Sequence, residues 1–239
     1  MIQVRELTKR FHGFTAVDVI SFDCPEGAVF GLLGENGAGK TTTLRMLATL
    51  LTPTSGTAFI GGVDITKEPE KVRSILGVIF EGGVYDRLTA RENIAYFGSL
   101  YGLRGQELRR RVDAVIERLA ISDFADKRAG SLSRGMRQKV VIGRAIVHDP
   151  PVLLMDEPTA SLDVTAANLV RDFILEAKAQ GKTVLFSSHN MPEVERLCDA
   201  VAVIHKGRIV ALGSIEELRA RQGEADLERI FVRLVGEEG

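Results

Sequence analysis

Apolar positions along this chain follow two rhythms, and their order predicts the fold. Runs of consecutive apolar residues, "AVFGLL", "ILGVIF", "PVLLM", "KTVLFSS" and "AVAVIH", read as short strands buried on both faces, as in a parallel sheet. Longer stretches with helical spacing separate them, so the elements alternate as βα units of an α/β fold. The amino terminus, "MIQVRELTKRF", alternates apolar and polar residues like a strand. Between about Asp86 and Asp149 the rhythm is helical only, as in "GQELRRRVDAVIERLA". This predicts a helical subdomain, 86–149, inserted between two parts of the α/β core, 1–85 and 150–215, with a charged helical tail over 216–239. No internal repeat, low-complexity tract or Gly/Pro/Ser-rich linker interrupts the sequence.

Size and charge narrow the possible partners. The 239 residues can bury a substantial core. Lys+Arg 31 against Asp+Glu 32 gives a formal net charge of -1, so no bulk positive field draws the protein onto nucleic acid or anionic lipid, and no nucleic-acid partner is expected. Cys24 and Cys198 lack the paired spacing of a metal or redox motif and point to a reducing cytosol. The amino terminus has no apolar stretch of the signal-peptide kind, which predicts a protein that is not exported. The runs "VLLM" and "VAVI" are far shorter than the roughly 20 residues of a membrane-spanning helix. Any membrane role would therefore come through a partner.

The strongest local motif is "GENGAGKTT", Gly34 to Thr42, directly after the apolar strand "VFGLL". It fits the phosphate-loop pattern G-x-x-x-x-G-K-[ST] in the strand-then-helix context that pattern requires. Gly34, Gly37 and Gly39 let the backbone turn its N–H groups toward phosphate oxygens, and the following helix start adds its positive end. Lys40 then neutralises the outer phosphates, and Thr41 offers its hydroxyl to Mg²⁺. The competing reading, a coincidental glycine-rich turn, has odds on the order of one in a hundred for a chain of ordinary glycine content.

A second motif, "PPVLLMDEPTASLD", runs four apolar residues straight into two carboxylates. Asp156 is placed to hold Mg²⁺, while Glu157, pointing the other way on a strand of period two, can accept a proton from an attacking water. On its own the pair could equally be a strand end reaching solvent. A third strand, "KTVLFSSH", ends in His189. A lone histidine there is more often a cap or packing residue. Beside strands carrying Lys40 and Glu157, it could hydrogen-bond the terminal phosphate where parallel strands converge on a ligand. His12, His148 and His205 have no such context and read as surface or packing residues. The basic run "LRRRV" reads as the solvated face of a helix.

Taken together, "GENGAGKT", "SLSRGMRQK", "LLMDEP", "TASLD" and "SSH", in this order and spacing, resemble the ATP-binding cassette of an ABC transporter over nearly the whole chain. The discriminating element is "SLSRGMRQK", because other P-loop ATPases lack a Leu-Ser-Gly-Gly-Gln-like signature between the shared motifs. The resemblance implies a single cassette over 1–239, with a P-loop NTPase core of mostly parallel sheet, an antiparallel β portion near the N-terminus, and the inserted helical subdomain. It also implies ATP and Mg²⁺ as ligands, a homodimer in the ATP-bound state, and an integral membrane permease as partner on the inner face of the cell membrane. Gly34, Glu35, Asn36, Gly37, Ala38, Gly39, Lys40, Thr41 and Thr42 would contact ATP in one subunit. Ser133 and Gly135 would cap the phosphate held by the other, and Asp163 would face the nucleotide. Glu157, His189 and Lys40 are the implied catalytic residues, and Thr41, Asp156 and Glu81 the implied metal contacts.

The sequence departs from the family pattern at three of these places. Arg134 stands at the first signature glycine, Met136 at the signature glutamine, and Glu81 where a metal-contacting glutamine is usual. A carboxylate is itself an oxygen ligand, so metal contact through Glu81 remains open, as does contact with a basic residue of the permease. Phe11 sits where the family stacks an aromatic on adenine, and an ordinary core phenylalanine is the alternative. Within the family, "LATLLTPTSGTAFIGGVDI" and the Arg-Gly-Met signature most resemble ATPase subunits of bacterial exporters, those that extrude sodium and the related drug-export ATPases. Two rival classes are soluble ABC-type proteins acting on DNA or ribosomes, which usually carry tandem cassettes, and regulatory modules without a base such as Glu157.

Overall fold

The alternating amino terminus forms a hairpin of β1 (Ile2–Phe11) and β2 (Phe14–Cys24) in the computed structural model, which describes residues 1–80, 83–160 and 162–236. The chain continues through β3 (Val29–Leu33), α1 (Lys40–Leu47), β4 (Ser55–Ile60), β5 (Val63–Asp64), α2 (Pro69–Ser74) and β6 (Leu76–Ile79). Helices α3 (Ala90–Leu100), α4 (Gly105–Arg118) and α5 (Arg134–Ile146) follow, with short 3-10 turns at Ser122–Phe124 and Ala129–Ser131. Then come β7 (Val152–Asp156), α6 (Val164–Ala179), β8 (Thr183–Ser188), α7 (Met191–Leu197), β9 (Ala200–His205), β10 (Arg208–Gly213), α8 (Ile215–Gln222) and α9 (Leu227–Gly236). Each of the five apolar runs becomes a strand, β3, β6, β7, β8 and β9.

These strands build a six-stranded sheet in the order β10-β9-β3-β8-β7-β6, parallel except for the β9–β10 pair, while β2-β1-β4-β5 form an antiparallel sheet. Alternate residues of the central strands feed two cores. Val29, Leu33, Leu153, Met155, Val184 and Phe186 pack with α3 to α7, whereas Phe30, Leu32, Val152, Leu154 and Leu185 pack with Leu44 and Leu47 of α1 and with Ile2, Val4 and Ile60 of the antiparallel sheet. Burying each such side chain contributes about 1.5–3 kcal/mol. Along β7 and β8 polar residues stand only at the strand ends, Thr183 at the start of β8 and Asp156, Ser187 and Ser188 where the two strands finish.

The β1 alternation changes phase between Val4 and Leu7, both fully buried. Glu6 takes up the extra residue in a left-handed conformation, φ 49°, with a shift in the register of both neighbouring strands. A Cβ on Gly56 would lie 2.1 Å from the Glu6 carbonyl oxygen, so β4 can pass this bulge only with glycine there.

Between Ala90 and Ile146 the described residues form helices and 3-10 turns. Thr89 and Glu92 close a reciprocal capping box at the start of α3, which satisfies two otherwise orphaned donors. On α4, Val112, Val115 and Ile116 face inward. Arg109 and Arg110 are exposed as the helical reading expects, while Arg111 reaches Asp149 at 3.5 Å. Lys182 holds the other oxygen of Asp149 at 2.6 Å, and this bond keeps the carboxyl below the usual carboxylate range. His148 is a packing residue. It stacks on Tyr101 with ring centroids 3.4 Å apart and bonds the Leu76 carbonyl through Nε2 at 3.0 Å, and burial pushes its pKa down to about 4. In the tail, Ile215, Leu218, Leu227 and Phe231 join the cluster that contains Val194 and Leu197 of α7. Among the described residues, no helix is long and apolar enough to cross a membrane.

Candidate functional site

The loop between β3 and α1 is shaped by glycines used for two different reasons. Gly37 and Gly39 have φ of 84° and 109°, left-handed geometry that other residues adopt at a cost. Gly34 does not, and its need is space, because a Cβ there would stand 2.4 Å from the Ile204 carbonyl oxygen. The loop is pinned to the strands around it by Gly34 N donating to Ser188 O (3.3 Å) and Gly207 N donating to Ala38 O (3.0 Å). Glu35, Asn36 and Gly37 are exposed, Ala38 and Gly39 are buried, and Thr41 and Thr42 are half-buried. Helix α1 starts with no side-chain cap and no acidic residue in its first turn. Its N-terminal N–H groups therefore present an uncovered positive end, the arrangement that accepts an anion.

Strand β8 pairs with both β3 and β7, aligning Leu33 with Ser188 and Asp156 with Ser187. Three motifs distant in sequence thus meet at the carboxyl ends of neighbouring strands. The buried Lys40 donates through Nζ to Gly34 O (2.6 Å) and Glu35 O (3.1 Å), and the same atom lies 3.2 Å from Glu157 Oε1. Thr41 Oγ1 donates to Asp156 Oδ1 at 3.0 Å. His189 Nδ1 is 2.9 Å from Glu157 Oε2. Asn36, Thr41, Asp156, Glu157, His189 and Arg134 line one cleft of about 680 Å³.

Glu157 differs in one respect from the sequence expectation. The strand ends at Asp156, and Glu157 turns by a left-handed backbone, φ 45°, not by strand alternation. A non-glycine residue in this region costs about 1–3 kcal/mol and persists where its surroundings hold it. Ser187 is part of that hold. Its Oγ donates to Asp156 Oδ1 at 2.6 Å and accepts from Glu157 N at 2.9 Å. Ser187 carries no motif of its own; in the sequence it is one of two serines that end the apolar run of β8, "TVLFSS".

Helix α5 begins at Arg134 with Ser133 as N-cap, its Oγ accepting from Met136 N at 3.3 Å. Ser133 and Arg134 are exposed and Gly135 is half-buried, so this helix start opens to solvent. Asp163 caps α6 by accepting from Ala166 N at 2.9 Å. Phe11, 46% exposed, is not a core residue, and Lys9 Nζ lies 5.2 Å from its ring centre. Glu81 lies outside the described residues. Burial pushes the Cys24 thiol up to about 12 and that of Cys198 well above the usual range, so neither is a nucleophile at neutral pH.

Comparison with known proteins agrees with this geometry. Residues 17–160 match the family described as ABC transporter. The chain is 45% identical over 238 residues to "ABC transporter ATP-binding protein NatA" of Bacillus subtilis (strain 168), covering 97% of each sequence. A solved "Structure of ATP binding subunit of ABC transporter" superposes with a TM-score of 0.88 at 30% identity, covering 98% of this chain and 99% of that one. The "Dimeric Structure of MJ0796, a Bacterial ABC Transporter Cassette" superposes at 0.80 with 26% identity, over 90% and 98%. A phosphate loop, a carboxylate pair and a strand-end histidine meeting at the carboxyl ends of neighbouring parallel strands, in a chain this similar along its length, place the protein in the ABC transporter family as an ATP-binding ATPase subunit.

Proposed function

We propose that two copies of this chain close around two ATP molecules and drive export of sodium ions through a separate membrane permease, which holds them at the inner face of the cell membrane. The observation that carries the reading is the meeting of Lys40, Thr41, Asp156, Glu157 and His189 at the carboxyl ends of neighbouring strands. Ser133 and Gly135 stand on an open helix start of the same chain. One sequence therefore holds both halves of a shared site, and no specialised second cassette is needed. ABC ATP-binding subunits work with membrane permeases, and the similar MJ0796 cassette has been solved as a dimer. Sodium as cargo rests on the finer resemblance of the signature and of "LATLLTPTSGTAFIGGVDI" to sodium-extruding exporters.

In this reading each residue has one task. The loop amides and Lys40 bind the phosphates, and Phe11 offers its exposed ring to adenine. The Thr41 hydroxyl and Asp156 carboxylate, 3.0 Å apart, form an all-oxygen pair of the kind that suits Mg²⁺, which supplies charge neutralisation on the phosphates when bound. Glu157 takes the proton of the attacking water. His189 holds Glu157 through Nδ1, and with both ring nitrogens carrying hydrogen it can donate from Nε2 to the terminal phosphate.

Reconstitution of the chain with its permease in vesicles tests the proposal. Turnover should rise with the permease and be indifferent to DNA and ribosomes, and sodium should cross the membrane in proportion to ATP consumed. Stimulated turnover without sodium movement would remove the cargo and leave the transporter reading. Stimulation by nucleic acid instead of the permease would favour a soluble ABC-type role.

Lys40→Ala checks the phosphate loop separately. It removes a charge-assisted contact of roughly 1.5–3 kcal/mol, so ATP affinity should fall about ten- to a hundredfold by calorimetry with Mg²⁺. A melting curve must accompany it, because the change also leaves Glu157 Oε1 without its cation. Unchanged affinity in a folded variant would withdraw the loop assignment.

A further inference from the structure

One buried acid near the site has no role in the mechanism above. Glu193, on α7, is 3% exposed, and its Oε2 accepts from two hydroxyls, Thr159 Oγ1 at 2.9 Å and Ser188 Oγ at 3.2 Å. Its Oε1 lies 3.4 Å from Arg171 Nε on α6. The two hydroxyls flank the reactive pair in sequence, since Ser188 directly precedes His189 and Thr159 stands just beyond Glu157 and Pro158. The helix start that aims Glu193 is itself fixed. Asn190 caps it by accepting from Glu193 N at 3.2 Å, and Asn190 N donates to Ser188 Oγ at 3.0 Å.

We infer that Glu193 is a positioning residue for hydrolysis, one buried carboxylate oxygen tying the turn that carries Glu157 to the strand end that carries His189. The inference rests on the reading of Glu157 as the base. The left-handed Glu157 needs restraint from both sides. Ser187 supplies it at the Glu157 amide, and the Thr159 bond to Glu193 supplies it on the far side. Ser188 is bound to the same oxygen, so a shift of Glu193 would move both partners of the 2.9 Å Glu157–His189 contact. A carboxylate fits this task because one oxygen can accept both hydroxyls while the other faces the guanidinium. Glutamine can keep its carbonyl on the hydroxyls only by setting its NH₂ group against Arg171, also a donor.

The test compares the full chain with Glu193→Gln, Glu157→Gln and the double variant, measuring steady-state turnover, KM and calorimetric ATP affinity. Glu193→Gln should lower kcat roughly ten- to a hundredfold, the scale of an ångström-size misplacement of a reacting group, with KM and affinity unchanged. In the Glu157→Gln background the same change should cost nothing further, because the group it acts through is gone. Glu157→Gln alone separates the two claims. If that variant keeps parental turnover, the base assignment fails and the inference with it. If it loses turnover while Glu193→Gln does not, or if the two losses multiply, the positioning role is overturned and the base stands. A fall in affinity as large as the fall in kcat would also overturn it, as general damage to the site. Should Glu193→Gln melt out, Thr159→Val takes its place, since it leaves Glu193 bound to Ser188 and Arg171. It should show a smaller loss confined to kcat.

Discussion

Glu157→Gln should hydrolyse ATP some 10²- to 10⁴-fold more slowly than the parent, the usual worth of a general base, while still binding it. The amide keeps the shape of the carboxylate and loses the proton acceptor. Its neighbours make the sign of the binding change clear. Glu157 Oε1 stands 3.2 Å from Lys40 Nζ, the group assigned to the outer phosphates. Removing the negative charge frees that ammonium and takes away a repulsion against the incoming phosphates, so ATP affinity should hold or rise. Phosphate release after rapid mixing gives the turnover, and calorimetry the affinity. A variant that turns over like the parent would mean that another group accepts the proton. A variant that loses affinity in proportion to turnover would mean that Glu157 supports the loop and does not act in the chemical step.

Much of this site was legible because buried strands announce themselves as apolar runs and because phosphate binding demands glycine and lysine at fixed spacing. The runs ending in Asp156 and His189 predict strands converging on the loop, and the sheet order with β8 between β3 and β7 puts them there. Helix α5 begins at Arg134, within the segment 86–149 whose rhythm is helical. What the pattern could not carry were features decided by single atoms across the fold. Gly34 and Gly56 are needed because of carbonyls of Ile204 and Glu6, which lie far from them in sequence. The left-handed turn at Glu157 has no local marker, since glutamate is not a residue that announces such a φ. Glu193 looks in sequence like any acid in the first turn of a helix, and only packing shows it buried. For Phe11 the same side chain suits adenine stacking and a core position, and only its place at the hairpin tip, in solvent, removes the core alternative.

Gly135→Glu should abolish the ATP-dependent dimer while sparing ATP binding by the single chain. The isolated parent is expected to be monomeric without nucleotide, and the Glu157→Gln form to dimerise with ATP because the bound nucleotide is not consumed. If Ser133 and Gly135 meet the partner's phosphate, a glutamate at 135 brings a negative charge against it. Two unit charges roughly 4 Å apart at an effective dielectric of about 20 repel by about 4 kcal/mol, roughly a thousandfold in affinity at each of the two sites. The fold itself has reason to tolerate the change. A Cβ at 135 would meet Ala166 Cβ at 3.5 Å, an ordinary contact, and an acid in the first turn of α5 favours the helix dipole. Gly135→Ala is therefore the control and should dimerise. The cis loop, Gly34 to Thr42, is untouched, so calorimetry should find parental ATP affinity in both variants. Sedimentation in the Glu157→Gln background reads the outcome. A dimer that survives Gly135→Glu would mean that this helix start does not face the partner's phosphate, and a chain that never dimerises with ATP would mean that the second subunit, or the permease, is a different protein that this one requires.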